Sequence, residues 1–170
     1  MKRFDIVLFA SLLVAGGLCF PARAAVDTAQ MQVRIVITES CDIHSAPPSD
    51  LDFGTHARST GAPVDSEATL QINCTLGTPY SIGLNEGSNA TGSTAAADNR
   101  RMISANGDFI PYGLYRDTAR NEFWGEVAGT NTHAGVGTAS SQIVTVYGRV
   151  PSTNAPTGSY ADTVVATVTY

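Results

Sequence analysis

Helix-forming sequence is scarce in this chain. No stretch of 11 or more residues places its apolar positions at a 3.6-residue period, which speaks against a helical bundle. Basic residues are few: 10 Lys+Arg stand against 15 Asp+Glu, a formal net charge of −5, and Lys2 is the only lysine. A chain so poor in cations lacks the electrostatic footprint of a nucleic-acid binder. It also has no polybasic segment to hold an anionic membrane. The longest apolar run, Ile6 to Phe20, has 15 residues, short of the about 20 that span a bilayer. There is no Gly-x-Ser-x-Gly elbow and no phosphate-cradling glycine loop ahead of a helix.

The short apolar run has its own explanation. Met1-Lys2-Arg3 is cationic, Pro21 closes the run, and Ala22-Arg23-Ala24 places small residues where a signal peptidase reads. Residues 1–24 are therefore expected to be a secretory signal peptide, with export rather than membrane insertion as the outcome. Its removal takes away Lys2, Arg3, Arg23 and Asp5. Seven basic residues, all arginine, and 14 acidic ones remain. Cys19 leaves too, so Cys41 and Cys74 are the two cysteines of the exported chain. In an oxidising compartment they are expected to form a disulfide.

What is present is β-type sequence. Strands are expected at Gln30–Thr38, Cys41–Ser45, Leu51–Thr55, Ala68–Cys74, Tyr80–Asn85, Arg101–Ser104, Ile110–Arg116, Ile143–Val150 and Asp162–Tyr170. Turn clusters separate them: Ala46-Pro47-Pro48, Gly61-Ala62-Pro63, Gly77-Thr78-Pro79 and the long loop of residues 87–99. Many short strands with one disulfide predict an all-β, immunoglobulin-like β-sandwich. The first strand stands apart. Ala29, Met31, Val33, Ile35 and Ile37 share one face at period two, and no hairpin partner precedes them. The last strand alternates Tyr160, Asp162, Val164, Ala166, Val168 and Tyr170 against Ala161, Thr163, Val165, Thr167 and Thr169.

Several motifs together carry a resemblance. They are the alternating arm ahead of Cys41, Leu51-Asp52-Phe53-Gly54, Leu70-Gln71-Ile72-Asn73-Cys74, the segment Tyr112-Gly113-Leu114-Tyr115-Arg116-Asp117 followed by Ala119-Arg120, and Gly158-Ser159-Tyr160-Ala161-Asp162-Thr163. In this order they resemble the spore coat protein U family, the subunits of archaic (Csu-type) chaperone–usher pili. The resemblance implies a sandwich that lacks its seventh strand, leaving a groove beside the C-terminal strand. Val164, Ala166, Val168 and Tyr170 would line that groove and meet a periplasmic chaperone. Residues 25–38 would be a donor-strand arm, using Ala29, Met31, Val33, Ile35 and Ile37, and residues 39–170 the pilin-type domain. A neighbouring subunit's arm would replace the chaperone's strand at an outer-membrane usher. The implied product is an extracellular pilus serving adhesion and biofilm formation, and not an enzyme.

Other residues suit weaker readings. His44, His56 and His133 are far apart, and Cys41 beside His44 has a better use in the disulfide than in a metal site. No cofactor is expected. Asp117 beside Arg116 reads as an ion pair. Gly135 and Gly137 read as loop glycines. Trp124 with Phe123 and Tyr112 reads as core or as a sugar-stacking patch. That second option supports a rival: a self-contained secreted β-sandwich binding glycan through Tyr112, Trp124 or the loop of residues 87–99.

Overall fold

The structure, a computed structural model, describes residues 23–44, 46–59, 61–92 and 99–170. The expected leader lies outside the described residues except for Arg23 and Ala24. The chain divides into two units, Met1–Val36 and Ile37–Tyr170. In the first unit the described residues 23–36 carry no secondary structure and are exposed throughout. The strand expected over Gln30–Thr38 is not formed in this chain. A lone alternating segment has no ladder partner, and its backbone groups are left to solvent.

The second unit is all-β, with no helix among the described residues. Its strands are β1 (Cys41–Asp42), β2 (Val64–Cys74), β3 (Pro79–Leu84), β4 (Arg101–Ser104), β5 (Phe109–Pro111), β6 (Gly113–Tyr115), β7 (His133–Val136), β8 (Ser141–Val150), β9 (Tyr160–Ala161) and β10 (Ala166–Thr169). They form three antiparallel sheets, ordered β1-β2-β8-β6, β10-β3-β7 and β5-β4-β9. The long β2–β8 ladder pairs Val64 with Val150 through to Asn73 with Ser141. Period-two patterning sets its register: Ala68, Leu70, Ile72 and Cys74 turn inward from β2, and Val144, Val146 and Val150 from β8. Tyr80, Ile82 and Leu84 of β3 complete the same hydrophobic cluster with Trp124. Trp124 is fully buried, and its indole Nε1 donates to the Ile82 carbonyl at 2.9 Å.

Cys41 and Cys74 are bonded, S–S 2.01 Å, and are also ladder partners in the β1–β2 pair. The disulfide closes a loop worth about 3–4 kcal/mol in the chain-entropy description. Other expectations for this unit need correction. The segment Leu51–Thr55 is not a strand; Leu51 and Phe53 lie half-buried against the core without a ladder. Ile110–Arg116 divides at Tyr112 into β5 and β6, which belong to different sheets. Gly135 is not a loop residue: it sits in β7, where a Cβ would strike the Tyr80 ring. Arg116 pairs with Glu122 at 3.5 Å, while Asp117 accepts the backbone N–H groups of Asn121 and Glu122 at 2.9 and 2.7 Å.

Gly148 of β8 explains how Leu51 and Phe53 are seated. A Cβ there would come within 2.7 Å of a Leu51 methyl and 3.0 Å of the Phe53 ring. Gly148→Ala is therefore expected to lift both side chains and to lower stability by about 1–3 kcal/mol, the usual cost of overpacking. Thermal unfolding of the variant checks this.

Candidate functional site: a groove that opens the core

The terminal strand shows its alternation in burial. Tyr160, Asp162, Val164, Ala166 and Val168 are half-buried, whereas Ala161, Thr163, Val165, Thr167 and Thr169 are exposed. β10 pairs with β3 on one edge only, Ala166 opposite Leu84 through Thr169 opposite Ser81. Among the described residues no strand takes its other edge. β8, by contrast, has β2 along one edge and β6 against Tyr147–Arg149 on the other. Of these two strands, then, β10 is the one with an unpaired edge.

Beside that edge the core is open. A hollow of about 680 Å³ is walled by residues 48–53 on one side and 160–166 on the other. Its floor is made of core side chains: Ala68, Leu70, Leu84, Leu114 and Val146. A second hollow of about 560 Å³ adjoins it, sharing Leu51, Phe53, Met102 and Tyr160. Its walls continue the first pair, residues 51–58 and 155–160. Together they make one groove between the Leu51 segment and the terminal strand. At the disulfide end the core is sealed, with Ile72 and Ile82 at 0 % exposure and Cys74 at 1 %.

Polar contacts hold the groove's strand wall in place. The Asp162 carboxylate accepts the Tyr112 hydroxyl at 2.7 Å and the Asn89 side-chain amide at 2.8 Å. Burial, and next the bond to Asp162, pushes the Tyr112 hydroxyl well above its ordinary pKa, so it remains a donor. Asn85 N–H donates to the Val165 carbonyl at 3.1 Å, and its Oδ1 accepts the Val165 N–H at 2.9 Å. Over residues 162–165 these side-chain and backbone bonds stand in place of a regular ladder, and the strand expected over Asp162–Tyr170 is reduced to β10, Ala166–Thr169, with β9, Tyr160–Ala161, ahead of it in another sheet. Arg100 supports the same region and was not foreseen. It is fully buried, and its guanidinium donates to the carbonyls of Leu84 (2.7 Å), Asn85 (2.7 and 2.9 Å) and Trp124 (2.8 Å).

The residues expected at the groove fall as follows. Val164, Ala166 and Val168 pack against the core from the half-open edge. Tyr170 lies just past β10 and is 58 % exposed. Met31, Val33, Ile35 and Ile37 are 82–85 % exposed, and Ala29 is exposed as well. The aromatic patch of the rival reading is not a surface: Trp124 and Tyr112 are buried. Among the described residues no three His, Cys, Asp or Glu side chains gather as metal ligands. The three histidines are not brought together.

The unit is thus all-β, with its core open beside an unpaired edge of its last strand. Comparison with known proteins assigns the particular family: residues 27–167 match the Spore Coat Protein U domain, and the chain belongs to that family. It is 38 % identical over 159 residues to Protein U of Myxococcus xanthus, with 88 % of each chain covered. Its fold is similar to one in the crystal structure of the CsuC–CsuE chaperone–tip adhesion subunit pre-assembly complex from archaic chaperone–usher Csu pili of Acinetobacter baumannii. The TM-score is 0.51 at 21 % identity, over 79 % of this chain and 40 % of that one.

Proposed function

We propose that the chain is a structural subunit of a secreted surface pilus that polymerises by donor-strand complementation. Export removes residues 1–24. A periplasmic chaperone covers the groove, and at an outer-membrane usher the arm of the next copy or of a homologous subunit takes its place. The fibre supports adhesion and biofilm formation. The observation that carries this reading is the pairing of opposites in one chain: a core open beside β10, and an arm whose five same-face apolar residues have nothing to pack on.

The energetics fit a linkage that is slow to open. Burying Met31, Val33, Ile35 and Ile37 contributes roughly 6–12 kcal/mol gross, at about 1.5–3 per side chain. Ordering the arm opposes this by about 1–2 kcal/mol per residue. The backbone ladder and the barrier to its rupture must therefore carry the persistence of the fibre.

The test is a gel of periplasmic protein co-expressed with chaperone and usher, unheated beside boiled, for the full chain and for a deletion of residues 25–37. The expected result is a ladder of SDS-resistant multimers that collapses on boiling and is absent from the deletion. A lone monomer band in every lane, with the truncated protein still folded, would overturn the reading in favour of a self-contained glycan binder.

A further inference from the structure

The sulfur and indole groups that a mild oxidant attacks are few in this chain, and they are unevenly placed. Cys41 and Cys74 are bonded to each other, and Trp124 is at 0 % exposure. Of the three methionines, Met1 belongs to the expected leader. Met31 and Met102 remain, and they fall on the two halves of the proposed linkage. Met31 stands on the apolar face of the arm and is 85 % exposed. Met102 of β4 is half-buried and lines both hollows of the groove. Among the described residues, Met31 therefore carries the sulfur most open to solvent. Oxidation of a thioether follows its exposure.

A peroxide turns a thioether into a sulfoxide. The sulfur lone pair attacks one peroxide oxygen, and an S–O bond forms as the O–O bond breaks. The departing hydroxide takes the proton of the new S–O–H group and leaves as water. Sulfur loses the two electrons that the peroxide gains. In the free arm the new oxygen is hydrated. In a neighbour's groove it is a strong acceptor above Ala68, Leu70, Leu84, Leu114 and Val146, none of which has a donor side chain. The Tyr112 hydroxyl lines the same hollow but already donates to Asp162 at 2.7 Å. We propose that Met31 is a redox modification site whose sulfoxide withholds a copy from donating its arm. This rests on the strand-donation reading and adds to it a control over which copies enter the fibre. A seated Met31 is shielded, so an oxidant acts on unassembled copies and spares the joints of the fibre.

The test treats the exported chain, purified with its chaperone, with hydrogen peroxide until about half of Met31 is oxidised. Peroxide is removed, and outer-membrane vesicles holding the usher are added. Unheated gels separate monomer from multimers, and mass spectrometry of the arm peptide from each band reads the gain of about 16 Da that marks a sulfoxide. The Met31 sulfoxide is expected to be about 10- to 100-fold enriched in the monomer band, as an unpaired buried acceptor requires. Met31→Leu and Met102→Leu are each compared with their own untreated samples. Peroxide should leave the multimer yield of Met31→Leu where it was and still lower that of Met102→Leu. Sulfoxide spread evenly over the bands would overturn the inference while arm-dependent multimers still stand. A peroxide effect that survives in Met31→Leu and disappears in Met102→Leu would move the site to the groove and overturn it too. Multimers assembled before treatment should oxidise Met31 about 10-fold or more slowly than monomers do. Oxidation at the monomer rate would show that the arm is not buried, and would overturn the strand-donation reading itself.

Discussion

Ile35→Asp is expected to abolish the SDS-resistant multimers and to leave the melting midpoint of the body unchanged. The two outcomes separate because Ile35 is 82 % exposed within its own chain, where a carboxylate meets only water. In a neighbour's groove the same change loses about 1.5–3 kcal/mol of burial. It also buries an unpaired carboxylate, at an effective cost of several kcal/mol. The sum weakens association by about three orders of magnitude or more, at 1.4 kcal/mol per factor of ten. Gln32→Asp is the matched control, because Gln32 points to the other side of the arm. Its multimers should persist. Loss of multimers in both variants would mean that acidity anywhere in the arm is harmful. Persistence in both would mean that the arm's apolar face is not what is buried.

The contrast between these two substitutions turns on a period of two, and that period was legible from the start. So were the strands over Ala68–Cys74 and Ile143–Val150, which the structure extends to Val64–Cys74 and Ser141–Val150. The disulfide was legible because the expected leader takes Cys19 with it and leaves Cys41 and Cys74 to pair. Other elements were hidden for physical reasons. β7 is His133-Ala-Gly-Val, short and interrupted by a glycine whose purpose appears only when the Tyr80 ring is seen lying against it. Tyr112 and Asp162 each sit inside an apparently continuous strand, yet they bond to each other across 50 residues of sequence. A tertiary hydrogen bond can divide a strand without altering its residue pattern. The groove itself was inferred from family resemblance; in the structure it is visible as core residues that line a hollow.

Arg100 was the least legible residue of all, and its substitution carries the largest effect expected within the body. In sequence it is one half of Arg100-Arg101, and nothing distinguishes the two. In the structure Arg101 lies over the Phe109 ring and donates to the Asn89 carbonyl, while Arg100 is at 0 % exposure with three carbonyls around its fork. Burial pulls its pKa down to about 10, partly offset by the field of Tyr112, Glu126, Asp162 and Glu86. The guanidinium thus stays charged at neutral pH but at a cost to folding, and that cost fades only as pH rises above about 10 toward the ordinary guanidinium range. Removing the side chain relieves the cost, yet strands the Leu84, Asn85 and Trp124 carbonyls in a dry core at about 1–3 kcal/mol each. The second term is larger. Arg100→Met is expected to destabilise by about 3 kcal/mol, a fall in melting midpoint of roughly 10 °C at about 2–4 °C per kcal/mol. Arg100→Lys should recover little, because one ammonium cannot span three acceptors set for a planar fork. Leu84 is the ladder partner of Ala166, and Asn85 bonds Val165, so the loss reaches the strand that borders the groove. Hydrogen exchange should then show the Val165–Thr169 amides opening before those of β2 and β8. A melt within about 2 °C of the parent, with those amides still protected, would show that water replaces the guanidinium and that β10 does not depend on it.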